Sequence, residues 1–173
     1  MSEGDERLQG WFAGRLPDGW FEGAPRVTVD REEILIVGTL PDVDAGEDAT
    51  DAVRAAARAG RIKQFREDTR EARMRIAREA EHRFRRKVSW GAECGGEREL
   101  FTTLSVPVMT RLRMDERRVL DTLVESGVAR SRSHALAWCV RLIAQKQGEW
   151  LSDLEKALEA VQEVRAAGPV TNA

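Results

Sequence analysis

The chain has 173 residues, of which 42% are hydrophobic and 34% charged, a composition typical of a globular protein rather than a disordered or fibrous one. Its longest apolar run is far too short to span a membrane, and its first residues are acidic where a secretion signal would be basic, so we expect a cytoplasmic protein without a membrane partner. Two cysteines and two histidines without a close-spaced ligand motif predict no disulfide, no metal site, no cofactor and no enzymatic activity.

The net charge of −2 conceals a strong separation of charge along the chain. Residues 1–60 carry 6 basic and 13 acidic side chains, whereas residues 61–87 carry 11 basic and 5 acidic ones. A local patch, rather than the mean charge, attracts a polyanion. The basic middle of the chain is therefore one candidate surface for nucleic acid.

The first part of the chain, residues 1–106, is predicted to form an N-terminal α+β module. A short helix around residues 7–13 is expected first. A β-hairpin should follow, because residues 26–29 and 33–40 are rich in β-branched and apolar side chains and flank a polar turn.

The rest of this module is predicted to complete a ββαββ order. A helix is expected to start at Asp48 as its N-cap, and its apolar stripe continues to about residue 86, either in one helix or in two that are broken at Gly60. Residues 87–94 and 99–105 read as a second hairpin around a pair of glycines. We expect the two hairpins to share one sheet, with the helical stripe on one of its faces.

Pro107 marks a boundary, because it cannot donate a hydrogen bond to a sheet ladder. Beyond it the pattern predicts a domain over residues 107–147 and a C-terminal amphipathic helix and tail over 148–173. A short strand with alternating side chains is predicted first, at 108–114. A helix at 115–126 should follow, capped by Asp115 and ended by Gly127. Two more helices are predicted, one from Ser131 or Ser133 to about 147 and one at 149–167.

Over residues 107–147 this order of elements, with Gly127 and the Ser131-Arg132-Ser133 helix start, resembles the ribbon-helix-helix family of dimeric DNA-binding proteins. In that family the strands of two subunits pair as a ribbon that enters the major groove of DNA. A two-stranded ribbon fits a groove about 12 Å wide, and a single short strand needs such a partner for its backbone groups.

The resemblance implies specific contacts to DNA. Alternation along the strand places Met109, Arg111 and Arg113 toward the groove, where an arginine that spans guanine O6 and N7 gives about 1–3 kcal/mol of discrimination. Thr110, Leu112 and Met114 should face the helices. The start of the second helix is expected to hold a DNA phosphate. The residues implied in that phosphate contact are Arg130, Ser131, Arg132 and Ser133, and the implied dimer core is Leu112, Met114, Leu120, Leu123, Leu136 and Val140.

The sequence thus predicts a homodimeric, sequence-specific DNA-binding protein that regulates transcription. Two other functions stay open. The first is an antitoxin with the same DNA-binding fold, which would bind a protein partner through residues 1–60 or 149–167. The second is an RNA- or ribosome-associated factor that uses the basic helix at 61–87. Arg111 and Arg113 could also be solvent-facing charges that discourage aggregation at a sheet edge.

Overall fold

The computed structural model describes residues 3–168, with side chains from residue 6 onward. The first two residues of the acidic N-terminus and the last five of the predicted C-terminal tail lie outside the described residues. The chain divides into two compact units, Met1–Pro107 and Val108–Ala173, which we describe separately as the N-terminal unit and the C-terminal unit.

The N-terminal unit is an α+β unit built on one four-stranded sheet in the order β1-β2-β3-β4. The two outer pairs are antiparallel hairpins, and the central pair, β2 with β3, is parallel. The predicted α+β class and the shared sheet of the two hairpins are confirmed. The elements are α1 (Glu3–Arg15), β1 (Arg26–Val29), β2 (Glu33–Thr39), α2 (Asp51–Asp68), α3 (Arg70–Phe84), β3 (Lys87–Cys94) and β4 (Glu97–Leu100).

The core of this unit lies where α1, α2 and α3 pack against the two central strands. Register places Ile34 opposite Val88 and Ile36 opposite Trp90, so bulky side chains meet across the parallel pair. Phe12 of α1 is completely buried. The buried cluster comprises Leu8, Phe12, Ile34, Ile36, Leu40, Ile62, Ile76, Ala80, Val88, Trp90, Ala92, Cys94 and Phe101.

The helical segment starts and breaks at other residues than the sequence predicted. Thr50, not Asp48, is the N-cap of α2, and its hydroxyl accepts from the Val53 N–H at 3.4 Å. The break between α2 and α3 falls at Thr69, whereas Gly60 lies inside α2. Glycine alone does not end a helix when its flanks are good helix formers.

Hydrogen bonds to the Thr69 side chain accompany the break. Its hydroxyl donates to the Phe65 carbonyl at 2.6 Å, and the Arg73 Nε donates to the same hydroxyl at 2.9 Å. Threonine side chains that bond back to a carbonyl four residues earlier bend helices in this way. The sequence pattern predicted the apolar stripe but not this local competition.

The second hairpin is shorter than predicted, because β4 ends at Leu100 rather than at residue 105. The Phe101 N–H still donates to the Trp90 carbonyl at 2.7 Å, but the Trp90 N–H donates to the Thr102 side-chain hydroxyl at 3.1 Å. A side chain therefore takes the place of the backbone acceptor and ends the ladder.

An ion pair fastens the loop after β2 to α2. Arg58 donates two hydrogen bonds to the Asp42 carboxylate, at 2.8 and 2.7 Å. The guanidinium, followed by the Val43 N–H, lowers the pKa of Asp42 from 3.8 to about 2. Gly95, in the turn between β3 and β4, has φ +53°, and a Cβ there would stand 2.0 Å from the Arg58 Nε. A side chain at this turn would thus displace the ion pair.

The C-terminal unit contains three helices: α4 (Met114–Glu125), α5 (Arg132–Lys146) and α6 (Gly148–Ala167). The predicted strand at 108–114 is not formed in this chain, because residues 102–113 carry neither helix nor strand. A strand needs a hydrogen-bonding neighbour, and the described residues supply none there. Arg113, not Asp115, occupies the N-cap position of α4.

None of the helices in the described part of the chain has the length and apolar character needed to cross a membrane.

Two glycine substitutions with opposite expected signs test the packing of the N-terminal unit. A Cβ on Gly38, in β2, would stand 2.1 Å from the Phe21 ring, so Gly38→Ala should lower the free energy of unfolding by about 1–3 kcal/mol. Gly60 has open space around it inside α2, so Gly60→Ala should raise that free energy by about 0.5–1 kcal/mol. Urea unfolding of both variants measures this, and equal shifts would contradict the placement of Phe21.

Candidate functional site

Residues 108–113, the part of the C-terminal unit that precedes α4, are here called the arm. Val108 is 84% exposed and Met109 is 97% exposed. Arg111 and Arg113 are exposed as well, and within residues 6–168 neither guanidinium has an ion-pair or hydrogen-bond partner. The three residues predicted to contact bases therefore lie together on one accessible segment.

The first turn of α4 fastens the end of the arm. The Arg113 N–H donates to the Glu116 carboxylate at 2.5 Å, and the Arg117 guanidinium donates to the Leu112 carbonyl at 2.7 Å. The sequence pattern predicted neither of these contacts of Glu116 and Arg117. A glutamate three residues after an N-cap is the signal that could have identified the first of these contacts.

The predicted alternation of the arm is only partly realised. Leu112 packs against the apolar cluster of the C-terminal unit. Thr110 is exposed, and Met114 is 66% exposed, so these two do not face the helices as predicted. Without a paired strand, nothing enforces the period of two that the prediction assumed.

The start of α5 carries a reciprocal cap. The Ser131 hydroxyl accepts from the His134 N–H at 3.2 Å, and the His134 ring nitrogen Nδ1 accepts from the Arg130 N–H at 3.3 Å. His134 thus supplies the returning half of the cap that a glutamate usually supplies. Ser133 is exposed within the first turn of the helix.

Arg132 is not a free cation at this helix start. Its guanidinium donates two hydrogen bonds to Asp121 of α4, at 2.6 and 2.8 Å. These hydrogen bonds lower the pKa of the Asp121 carboxyl and raise the pKa of Arg132. Arg132 therefore ties α4 to α5, which corrects the expectation that it is available for a phosphate. Arg130 is exposed and has no such carboxylate partner among the described side chains.

The residues predicted for a dimer core fall into two groups. Leu120 is buried, and Leu112, Leu123 and Leu136 are partly buried around it within the same chain. Met114 and Val140 are 66% and 62% exposed. The first group therefore forms the small intrachain core of the C-terminal unit, and the second lies on its surface.

Among the described residues of this unit, exposed large apolar side chains outnumber buried residues. Its fully buried residues among those described are Leu120, Ala129 and Ala135, and α6 buries none. The exposed apolar side chains on α5 and α6 are Val140, Ile143, Trp150, Leu154, Leu158, Val161 and Val164. Such an accumulation on one small unit makes α5 and α6 a candidate interaction surface.

The basic segment 61–87 is divided between α2 and α3, and part of its charge is used inside the fold. Arg73 is 6% exposed, and its guanidinium lies 4.7 Å from the centre of the Phe101 ring. Desolvation by burial lowers the pKa of Arg73 to about 10, and the charges of Arg66 and Arg70 lower it further. Arg66 pairs with Glu99 at 2.9 Å. In the described part of the chain, no three His, Cys, Asp or Glu side chains are placed to hold a metal ion.

Two protein-family models match the chain. Residues 6–100 match the N-terminal domain of Rv1265-like proteins, and residues 113–165 match the Mb1296 C-terminal domain. The chain is 57% identical to the uncharacterized protein Mb1296 of Mycobacterium bovis and to the uncharacterized protein Rv1265 of Mycobacterium tuberculosis, over 92% of this chain and 69% of each relative. No solved structure gives a significant match.

The resemblance to the ribbon-helix-helix family is therefore wrong as a family assignment, since neither matching model is of that family. The features that suggested it have a general cause. Gly127 has φ +78°, and the Ala129 N–H donates to the Leu123 carbonyl at 2.9 Å, as in many helix ends that close on a glycine. A glycine followed by a serine cap is what any tight turn between two helices requires.

The roles of the two serines at the start of α5 can be separated by substitution. Ser131→Ala should lower the free energy of unfolding of the C-terminal unit by about 1 kcal/mol, because the His134 N–H loses its acceptor. Ser133→Ala is the matched control and should change stability little, because its hydroxyl caps nothing in the described structure. Thermal unfolding followed by circular dichroism measures both, and a larger loss for Ser133→Ala would contradict the assigned cap.

Proposed function

The chain belongs to the family of Rv1265-like proteins, and we propose that it is a homodimeric DNA-binding protein that regulates transcription through its C-terminal unit. The arm is the observation that carries this proposal. It is accessible, it bears two unpaired arginines, and the first turn of α4 fixes its end. A segment held at one end and otherwise free of the fold is suited to follow the groove of a duplex.

Arg111 and Arg113 are the proposed readers of DNA bases. Each guanidinium is free of carboxylates in the described structure, so binding to guanine O6 and N7 breaks no internal ion pair. The arms of two copies could also satisfy each other's backbone groups by pairing in an antiparallel manner. A pair of strands of this length fits the major groove.

A second copy of the chain is the proposed partner of the apolar surface. A unit of this size that buries so few side chains is marginal by itself, because small domains expose a large fraction of their surface. Leu154, Leu158 and Val161 recur at four- and three-residue spacing on α6, and an apolar seam of this kind matches another copy of itself. The same association would bring two arms together on one duplex.

The start of α5 is the proposed phosphate contact. Ser131 caps one of the free N–H groups of the first turn, and the others point out of the helix end, where the helix dipole favours an anion. Arg130 supplies the cation in this proposal, because Arg132 is held by Asp121. Phosphate contacts of this type fix the position of a protein on DNA without reading its sequence.

The experiment that tests this function is recovery and sequencing of the genomic fragments that bind the full chain. A short repeated or palindromic motif among the bound fragments is expected. Recovery of RNA instead would support a role for the basic 61–87 segment, and co-purification of a small toxin-like protein would support an antitoxin. Either of these results without an enriched DNA motif would overturn the proposal.

Substitution of a single arm residue should change sequence discrimination. Arg113→Ala should reduce the ratio of affinities for the recovered site and for random DNA by about 5- to 150-fold, which corresponds to the loss of one bidentate base contact. Arg118→Ala removes an equally exposed arginine from α4 and is the control, with a nearly unchanged ratio expected. Binding titrations over a range of salt concentrations measure both ratios. An equal loss in the two variants would show that the arm contributes only general charge.

Self-association should depend on the apolar seam of α6. The full chain is expected to sediment as a dimer at micromolar concentration, with a thermal midpoint that rises with protein concentration. Leu158→Lys should shift the protein toward monomer, because it places a charge in the seam. Ala160→Lys adds the same charge on another face of the helix and should leave the dimer intact. A folded monomer in the unmodified chain would contradict the dimer.

A further inference from the structure

We propose that the N-terminal unit has a second functional site, an anion-binding cleft for a small ligand that carries several phosphate groups. This proposal goes beyond DNA binding and does not depend on it. The cleft has a volume of about 590 Å³, within the range of about 300–1,000 Å³ that is typical of small-molecule sites. Its basic side chains are Arg31, Arg78, Arg85, Arg86 and Lys87.

Positive charge predominates in this cleft. Against its five basic side chains stand two carboxylates, Glu32 and Glu81. Glu81 is already bound by Lys87 at 3.1 Å, so it does not neutralise the arginines. Repulsion between such closely placed cations is unfavourable, and a multiply charged anion would relieve it.

Three of the cleft arginines differ from Arg15 and Arg58 of the same unit, which are held by carboxylates. Arg15 makes two hydrogen bonds to Glu79, at 2.6 and 2.7 Å, and Arg58 is held in the same manner by Asp42. In contrast, the guanidiniums of Arg31, Arg85 and Arg86 have no ion-pair or hydrogen-bond partner among the described residues. These donors are therefore available to a ligand.

An unpaired donor in the cleft lining also indicates a ligand. The Nε of Arg86 is buried and has no acceptor in the described structure. Buried donors are nearly always paired, and a ligand oxygen would supply the missing acceptor. Arg85 has φ +58°, and within the described residues no other non-glycine residue has a positive φ. This is the left-handed C-cap at which α3 ends before β3 begins, and it places Arg85 in the cleft lining.

The cations are held on a rigid frame of backbone hydrogen bonds. The Arg85 N–H donates to the Glu81 carbonyl at 3.0 Å, and the Lys87 N–H donates to the Glu32 carbonyl at 2.8 Å. The Leu104 N–H donates to the Glu33 carboxylate at 3.2 Å, which fixes the segment after β4 at the rim. A site that exists before its ligand arrives costs less ordering on binding.

The chemistry of the lining favours phosphate groups over a nucleic-acid strand. Surfaces that bind single strands stack the bases on aromatic rings. Among the described residues, the imidazole of His82 is the one aromatic ring that lines this cleft, and the apolar lining residues are Leu104 and Val106. One guanidinium binds a phosphate group through two parallel N–H···O hydrogen bonds. Several guanidiniums around one small cleft match a compact oligophosphate.

Sodium tripolyphosphate is the probe for this site. Calorimetric titration of the full chain in about 0.15 M salt, where diffuse surface attraction is largely screened, should show saturable binding of one tripolyphosphate per chain. The double variant Arg31→Gln, Arg86→Gln should lose at least about tenfold in affinity, as expected for lost charge-assisted hydrogen bonds. The matched control Arg70→Gln, Arg75→Gln removes two exposed charges of α3 outside the cleft and should stay close to the unmodified chain.

A second variant guards against misfolding. Arg85→Gly removes a cleft cation while it retains a residue suited to positive φ, so it should fold and should also weaken tripolyphosphate binding. Arg113→Ala should leave this binding unchanged, which separates the cleft from the proposed DNA-binding function. Absence of saturable binding, an equal loss in the control variant, or binding of a single-stranded oligonucleotide but not of tripolyphosphate at these arginines would each overturn the proposal.

Discussion

The parallel pairing of β2 with β3 is the constraint on which the rest of the N-terminal unit depends. Parallel neighbours need a crossover connection, and the α2–α3 pair provides it. Because these strands are central, most of their side chains are covered, and β2 reads as an apolar run from Ile34 to Val37. The same pairing sets the position of the Lys87 N–H opposite the Glu32 carbonyl. It therefore also brings the β1–β2 turn beside the end of α3, where the basic cleft lies.

The C-terminal unit, in contrast to the N-terminal unit, has only a small core among its described residues. Its few buried residues, centred on Leu120, fix the turn between α4 and α5, and the Asp121–Arg132 ion pair reinforces that turn. The α6 helix buries no residue within the chain. In the proposed dimer, association of two copies supplies stability that the unit does not obtain from its own core. Under the proposed function, association and DNA binding are then one property, because the surface that joins two copies also sets the distance between their arms.

Much of the fold was predictable from local signals, and two of the exceptions share a cause. Both hairpins and the three C-terminal helices were identified from β-branched runs, paired glycines and helical periodicity. The helix break at Thr69 and the end of β4 were not, because each depends on a side chain that competes with the backbone for one hydrogen bond. The family resemblance was wrong for a related reason: the signals at Gly127 and Ser131 report a turn between helices and carry no information on ancestry.

Candidate site residues were harder to predict than the fold, because a sequence shows how many charges a segment has and not which of them are paired. Within the basic segment 61–87, the Arg73 guanidinium donates hydrogen bonds to the Thr69 hydroxyl and to the Arg66 carbonyl. The Arg86 Nε, in contrast, is buried without an acceptor in the described structure. Arg132 and Arg130 stand two residues apart, yet only the first has a carboxylate in reach. Paired arginines stabilise the fold, and unpaired ones are free to bind an anion. The arm and the cleft are therefore proposed as binding sites because unpaired guanidiniums are grouped there on one exposed segment or around one cleft, and not because of charge alone.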